Sequence, residues 1–518
     1  MEKEVRYGVG EQSFEVMREG GFQYVDKTSF IEKIIRKGRY YFLGRPRRFG
    51  KSLFLSTLKC FFLAKKDLFK GLYAESIDWE WKSYPVLYLD LNVGEYSEPW
   101  HLENRLNSTL SLWEEEYGIE KKNDDPSIRL EYDIRRIYEK TGMKIVILVD
   151  EYDKPLVNTL DNPELFESYR KTLAAFYSNF KSSAEYLRLV FLTGVSRFGH
   201  LSVFSGLNNI DDISFDDSFS AVCGITEQEL YDDFKTGITL LSDKFQISEY
   251  DIKLELKKRY DGYRFSAHGQ DMYNPYSIVN VMNKEEFRSY WTYSGQPTIL
   301  IQQLRKFNVN LEHIISVKCR LDALMGLDLN NSNPISLLYQ TGYLTIKNYD
   351  NRRDIYTLGI PNIEVEEGFL SYILPFYATI SNDDSMVLVF HLIDNLNDGD
   401  ANTFMEGIKS MFSSVSYDMN MEREQNLHNA LLILMKLLGL EVQTEYRTSN
   451  GRIDLFIKTE KFYYIIELKL DKSAQEALDQ INRKDYALPF STDGRKIIKI
   501  GVNFSTKTRT ISEWIIEK

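Results

Sequence analysis

The chain's hydrophobic positions divide it into stretches with different periods. Tyr40-Tyr41-Phe42-Leu43 is a short β-prone run, and SLFLSTLKCFFL after Lys51 places apolar residues with helical spacing. PVLYLDLN (85–92) and LRLVFLTGVSRF (187–198) begin as further apolar strands. KIVILVDEYDKP (144–155) begins with a continuous apolar run, the pattern of a parallel strand covered on both faces. The strand–helix alternation predicts a doubly wound α/β core. After residue 215 the pattern becomes polar and helical. It opens with GITEQELYDDFKTG, where Thr226 and Glu229 have the spacing of a capping box. From 336 a helix ending near Gln340, the strand GYLTI, the turn NYDNRRD and the strand IYTLGI follow in quick succession. That order resembles a winged helix. Arg352 and Arg353 then sit at the wing tip, either touching phosphate or simply solvated.

The last 120 residues read differently. REQNLHNALLILMKLLG is an amphipathic helix with Leu427, Leu431, Leu434 and Leu438 on one face. Two alternating strands follow, flanking a turn near Thr459-Glu460-Lys461. In the first, Ile453, Leu455 and Ile457 share one face and put Asp454 on the other. In the second, Glu467 and Lys469 are two apart and share a face. Ser473 and Glu476 then open another helix with a capping box.

Composition narrows the classes. At 518 residues the chain exceeds one core, and two to four domains are expected. With 43% hydrophobic, 27% charged and 14% aromatic residues, it is a globular rather than a disordered chain. The N-terminus lacks the apolar region of a signal peptide, and the longest apolar run, LLILMKLLGL, is too short to span a bilayer. Cys60, Cys223 and Cys319 are far apart with no C-x-x-C pair, which suits a reducing cytoplasm and no zinc site. A net charge of −12 argues against broad non-specific nucleic-acid binding. Residues 401–518 carry 17 Lys+Arg against 16 Asp+Glu, a net of +1, which leaves −13 on the first 400 residues. Contact with nucleic acid is therefore expected at the C-terminal end or through local basic clusters.

Candidate chemistry begins at LGRPRRFGKSLFLS (43–56). Gly50-Lys51-Ser52 closes the pattern G-x-x-x-x-G-K-[ST], but Arg45 stands where the first glycine belongs. A strand–turn–helix context suits backbone amides converging on phosphates at a helix N-terminus. Lys51 would reach the β/γ-phosphates and the Ser52 hydroxyl would hold Mg²⁺; a chance GKS in a surface turn is the alternative. Asp150-Glu151 ends an apolar strand, where α/β sheets bind ligands. Asp150 would hold Mg²⁺ and Glu151 would polarise the attacking water. The alternative is a solvated acidic turn. Thr193 or Ser196 is a candidate to sense the γ-phosphate, with Arg197 close by.

YVDKT (24–28), RPRRFGKS (45–52), LVDEYDKP (148–155), LTGVSRF (192–198), FSGLNNI (204–210), YDGYRF (260–265), YNPYSI (273–278) and LLYQTGYLTI (337–346) resemble, in this order, the bacterial AAA-ATPase-like family. The resemblance covers most of residues 5–380. The family's own loop reads P-R-R-F-G-K-S, so the missing first glycine is a family variant. It implies an ATP site built on Arg47, Arg48, Phe49, Gly50, Lys51 and Ser52, with Arg47 or Arg48 adding charge. It also implies a lid over the nucleotide, with Arg264 as a second sensor and Asn274-Pro275 shaping a turn near the base. A Tyr-rich packing cluster is the alternative for this last region.

In the C-terminal strands, Asp454 and Glu467 with a backbone carbonyl suit an octahedral oxygen site for Mg²⁺, or Mn²⁺. Such an ion activates water and steadies a phosphate's developing charge, while Lys469 orients the water or neutralises the phosphate. This segment resembles the PD-(D/E)XK nuclease superfamily. Gln480, Lys484 and Tyr486, in Q-I-x-x-K-x-Y, are similar to its fourth motif, and GRID also matches, with Arg452 on the face of Asp454. Glu424 is the candidate for the superfamily's first acidic residue, with Glu422 as fallback and a solvated helix-start glutamate as the alternative.

The expected fold class is α/β: an AAA-like P-loop core over 1–215, a helical and winged-helix-like lid region over 216–390, and a restriction-endonuclease-like domain over 395–518. The expected function is an ATP-binding, ATP-hydrolysing protein coupled to a metal-dependent nuclease, cytoplasmic and without membrane contact. It would act on nucleic acid, DNA in preference to RNA, with oligomerisation open. The alternative is a nucleotide-switched signalling or scaffold ATPase with a catalytically silent nuclease fold.

Overall fold

The computed structural model of the chain describes residues 5–197, 209–292, 316–325, 334–377, 391–413, 441–448, 451–491, 494–508 and 510–518. It divides into two compact units, one of Met1–Asn308 with Ile314–Val365 and one of Val309–His313 with Glu366–Lys518.

The first unit is built on a parallel sheet of β1 (Tyr40–Gly44), β2 (Val86–Asp90), β3 (Ile145–Asp150), β4 (Leu187–Gly194) and the short β5 (Asp211–Asp212), in the order β2-β3-β4-β1-β5. Every residue of β3 is buried, which is why IVILV shows no alternation. Each such side chain contributes about 1.5–3 kcal/mol by leaving water. β4 lies between β1 and β3, so Thr193 at its end sits beside Leu43 of the loop strand. The helix Lys51–Phe62 follows β1 directly. Helices Pro99–Tyr117, Pro126–Thr141 and Pro163–Ser182 each start with proline in the first turn, where its missing N–H costs nothing. The first two are tied by Arg129, which forms a buried bidentate pair with Glu114.

The same unit continues into helices Glu227–Asp233, Lys235–Phe245, Glu249–Tyr260 and Pro275–Lys284, which share a core of Leu230, Phe234, Ile238, Ile252, Leu256 and Ile278. The Thr226–Glu229 capping box is formed in both directions. Glu229 also accepts two hydrogen bonds from Lys27 of YVDKT, at 2.6 and 2.7 Å. The winged-helix-like succession consists of the helix Ile335–Thr341 and a three-stranded antiparallel sheet. That sheet orders β6 (Ser316–Cys319), β8 (Ile355–Gly359) and β7 (Thr345–Asp350) as β6-β8-β7. The strand after the helix starts at Thr345 rather than Gly342, because Gly342 caps the helix in the left-handed region at φ 92°. Arg352 and Arg353 are exposed in the β7–β8 turn.

The second unit is a mixed sheet of β9 (Glu441–Thr448), β10 (Gly451–Lys458), β11 (Phe462–Leu470), β12 (Lys496–Ser505) and β13 (Thr510–Glu517), ordered β13-β12-β11-β10-β9. Only β11–β12 is parallel, and the crossover this requires is the helix Ala474–Arg483. That helix rests directly on β12 at Gly501, where an added Cβ would stand 2.3 Å from Ala474 O and 2.6 Å from Leu478 N. The amphipathic helix predicted over 423–439 lies outside the described residues. Among the described residues, no helix is long and apolar enough to cross a membrane.

Candidate functional site

In the first unit the residues of the loop meet a cavity of about 590 Å³. The turn after β1 reaches it through two left-handed residues, Arg48 at φ 68° and Gly50 at φ 94°. Gly50 is the N-cap of the helix Lys51–Phe62, so the first free amides of that helix belong to the loop. Arg45, in the place of the first glycine, does not line this cavity. Its buried guanidinium donates to the carbonyls of Gly44, Ser214 and Phe219 and lies 4.2 Å from the Phe265 ring. Burial lowers its pKa to about 10. It braces the loop from behind. Phe49 does the same with an apolar side chain, packed edge-on to Tyr263 and Phe265.

Arg47, Arg48, Gly50, Lys51 and Ser52 line the cavity together with Glu151 and Ser196. Lys51 is buried. Its Nζ donates to Arg45 O at 3.1 Å and Pro46 O at 3.2 Å, and stands 3.3 Å from Glu151 Oε1. Glu151 itself is held at φ 51°, a left-handed backbone that turns the chain sharply at the end of β3. Asp150 is buried beside it. Its Oδ1 accepts from the Thr193 hydroxyl at 2.6 Å, and the Ser52 hydroxyl lies close enough to favour its charged form. Burial, then the charge of Glu151, raises the Asp150 pKa, against the pull of these hydroxyls and of Lys51.

The structure thus brings Lys51, Ser52, Asp150, Glu151 and Thr193 together at the ends of β1, β3 and β4. It does not bring Arg197 or Arg264 to them. Arg197 is buried in an ion pair with Asp212, 4.3 Å from the Phe215 ring. Arg264 pairs with Asp271 at 2.9 Å. Neither side chain lines the cavity. Asn274 caps the helix Pro275–Lys284 through Tyr276 N and Ser277 N, which presents Tyr276 to the cavity. Among the parts of the wall that sequence reasoning missed are Gly8, Gly10, Glu11 and Gln12, Lys154, and the pair Trp291 and Tyr343. Trp291 donates from Nε1 to Arg47 O at 3.1 Å, fixing the loop from the far side.

In the second unit the β10–β11 register pairs Leu455 with Ile466, and one further step sets Asp454 across from Glu467. Asp454 Oδ2 accepts from Leu468 N at 2.9 Å. Glu467 Oε1 accepts from Lys469 Nζ at 3.2 Å and from Gln480 Nε2, and Lys469 also donates to Gln480 Oε1 at 2.8 Å. The helix packed on Gly501 therefore delivers Gln480 to the two strands. Glu467 is 1% exposed, and its Oε2 is buried with no hydrogen-bond partner. Burial, then the Asp454 charge, pushes its pKa up to about 7, against Lys469. A buried carboxylate oxygen without a donor, facing a second carboxylate, suits a hard divalent cation. Tyr486 is buried against Gly451, and Lys484 is exposed at the helix end. Glu424 and Glu422 lie outside the described residues, and among those described no three acidic, histidine or cysteine groups form a metal cluster.

A parallel-sheet core with a phosphate-loop cavity, followed by a mixed-sheet unit carrying a D…ExK…Q constellation, defines an ATPase-like protein with a nuclease-like domain. Residues 7–204 match the family model described as predicted AAA-ATPase, and residues 422–514 match that of the PD-(D/E)XK nuclease superfamily. A protein of Azotobacter chroococcum mcd 1, described as an uncharacterized protein in the vnfD 5′ region, is 33% identical over 527 residues, covering 98% of each chain. The chain belongs to this AAA-ATPase-like family, with a PD-(D/E)XK nuclease superfamily domain at its C-terminal end. The solved ORC2 protein of Aeropyrum pernix, in ADPNP and ADP complexes, covers 72% of this chain and 97% of its own. At 10% identity and a TM-score of 0.25 it carries no argument.

Proposed function

We propose that the first unit binds and hydrolyses ATP and that the second is a metal-dependent nuclease acting on nucleic-acid phosphodiesters, DNA in preference to RNA. The nucleotide reading rests on one cavity lined by Lys51, Ser52 and Glu151, with the buried Asp150 next to Glu151 and bonded to Thr193. Backbone amides from Arg47 to Lys51 and the Lys51 ammonium would bind phosphate oxygens. Ser52 and Asp150 would hold a magnesium ion, which when bound neutralises triphosphate charge. Glu151 would orient the attacking water, and Thr193 would keep Asp150 aimed. Arg197 and Arg264, engaged with Asp212 and Asp271, would reach the nucleotide only after leaving those partners.

The nuclease reading rests on the partnerless Glu467 Oε2 facing Asp454. These two carboxylates would hold the divalent ion, with Glu424 as the remaining acidic ligand. When bound, the ion supplies an activated water and charge stabilisation at the phosphate. Lys469 would donate to the phosphate oxygens, and Gln480 would hold both Lys469 and Glu467 in place. We propose an ATPase core over 1–215, a lid region over 216–390 and a nuclease domain over 395–518. Cys60, Cys223 and Cys319 are all free thiols, which supports a reducing, cytoplasmic setting. The test is purified protein on linear DNA, supercoiled DNA and RNA with Mg²⁺ or Mn²⁺, with and without ATP. Divalent-dependent cleavage is expected, and a chain that cuts nothing under any of these conditions overturns the nuclease assignment.

A further inference from the structure

The cavity holds one more cation than the loop motif accounts for. Lys154 follows Glu151 by three residues and lines the same space as Arg47 and Lys51. The other buried or half-buried lysines of this region are occupied: Lys27 by Glu229, Lys51 by Glu151 and two carbonyls. Among the described residues, Lys154 Nζ has neither a hydrogen bond nor a carboxylate within ion-pair distance, although the side chain is half-buried. Glu151 and Asp153 act on it from beyond ion-pair distance, and Arg47 opposes them. Burial first and Arg47 second hold its pKa below that of an ordinary lysine. A half-buried lysine that lacks a bonded anion is stabilised by one brought between it and the exposed Arg47.

The lining of the cavity identifies which anion. Arg48 lies 4.7 Å from the Tyr276 ring, while Arg47 lines the cavity together with Lys154. Gly8, Met17, Tyr276 and Val279 give the cavity apolar wall suited to a base. Glu151 and Ser196 line it with Lys154, just beyond the tips of β3 and β4 where the terminal phosphate of a loop-bound nucleotide would lie. We propose that Lys154, with Arg47 beside it, contacts the terminal phosphate of the bound nucleoside triphosphate and makes the site prefer triphosphate over diphosphate. This rests on the cavity being the nucleotide site. It assigns to a residue after the acidic pair the charge that the displaced Arg197 and Arg264 do not supply.

One charge-assisted hydrogen bond contributes about 1.5–3 kcal/mol, or roughly a ten- to hundredfold change in affinity. Titration calorimetry of ATP and ADP against wild type, Lys154→Ala, Lys154→Gln and Lys154→Arg tests the proposal. Both neutral variants should lose about ten- to a hundredfold in ATP affinity while binding ADP within about twofold of wild type, and Lys154→Arg should restore most of the preference. Retained ADP binding reports that the variant is folded. Equal loss of ATP and ADP in both neutral variants, or no change in either, overturns the proposal. A wild type that binds neither nucleotide overturns the nucleotide reading itself. Intact wild-type binding that Lys51→Ala weakens while Lys154→Gln leaves unchanged overturns only the role of Lys154.

Discussion

Lys51 Nζ and Glu151 Oε1 stand 3.3 Å apart, so the loop lysine and the acid ending β3 neutralise each other inside the cavity. The two groups nevertheless have different work to do. Lys51→Ala removes a cation aimed at phosphate and should weaken ATP binding by about tenfold or more. Glu151→Gln keeps the shape and frees Lys51 from its partner, so binding should persist while phosphate release slows by about 10²-fold or more, the scale of lost base catalysis. Calorimetry and phosphate release separate the two effects. ATP affinity unchanged in Lys51→Ala would remove the loop from the site.

Asp133 offers a pH test away from either site. It is buried, both of its carboxylate oxygens lack hydrogen-bond partners, and its pKa is raised to about 7, first by burial and then by Glu114, against Arg129. A raised carboxyl pKa means that the folded chain binds more protons than the unfolded one between pH 4 and 7. The resulting destabilisation therefore grows as pH rises through that window and is complete above it. Asp133→Asn should be more stable than wild type at pH 8 by on the order of 1 to 3 kcal/mol, with the gap closing near pH 4. Urea midpoints at the two pH values measure this. A gap that widens on acidification would reverse the sign.

Gly501 governs the second site without touching it. A Cβ there meets backbone atoms of Ala474 and Leu478 at 2.3 and 2.6 Å, which no rotamer change relieves. Gly501→Ala should cost about 1–3 kcal/mol as an overpacked contact. By lifting the helix Ala474–Arg483 it should also loosen Gln480 from Lys469 and Glu467. Loss of cleavage with both carboxylates intact is the expected result, read with a urea midpoint on the same variant. Full activity would mean that the helix does not position Gln480.

Much of this architecture is legible in residue order because the strands are short, apolar and punctuated. KIVILV reads as a covered parallel strand, and the capping box at Thr226 reads as a helix start. The α/β class with a parallel-sheet core and a C-terminal mixed sheet is the class observed. Local signals also mark Asp454, Glu467 and Lys469 as sharing a sheet face. What is not legible depends on distant partners. Arg197 follows a β-strand in good position for a phosphate, but Asp212 and Phe215 capture its guanidinium. Nothing in YDGYRF announces that Asp271 pairs with Arg264. The contributions of Gly8–Gln12 and Trp291 to the cavity wall come from chain segments far from the loop and carry no motif. Strands β12 and β13 carry no chemistry-bearing motif that marks them in the residue order, although KIIKIGV is largely apolar.

The last prediction concerns cutting. Asp454 and Glu467 meet across adjacent strands, and Glu467 Oε2 is held in a buried position without a donor. Asp454→Ala and Glu467→Ala each remove one of two anionic ligands, and a hard divalent cation loses most of its charge match. Missing transition-state contacts of this kind cost about 10² to 10³ in rate, so both variants should be inactive. Lys469→Ala keeps both carboxylates and should still bind Mn²⁺ while cutting poorly. Glu467→Gln distinguishes charge from shape: it retains the hydrogen bonds available to Gln480 but should lose the metal. Because these residues belong to the second unit and the nucleotide cavity to the first, all four variants should bind ATP as wild type does. The decisive comparison sets wild type against Asp454→Ala on linear DNA, supercoiled DNA and RNA with Mn²⁺, alongside Mn²⁺ titration of each protein. Cleavage and tight Mn²⁺ binding lost together in Asp454→Ala place the metal on these carboxylates. Equal cutting by both proteins would place the activity elsewhere, and a wild type that cuts nothing while binding ATP would leave the fold as a silent nuclease governed by a nucleotide switch.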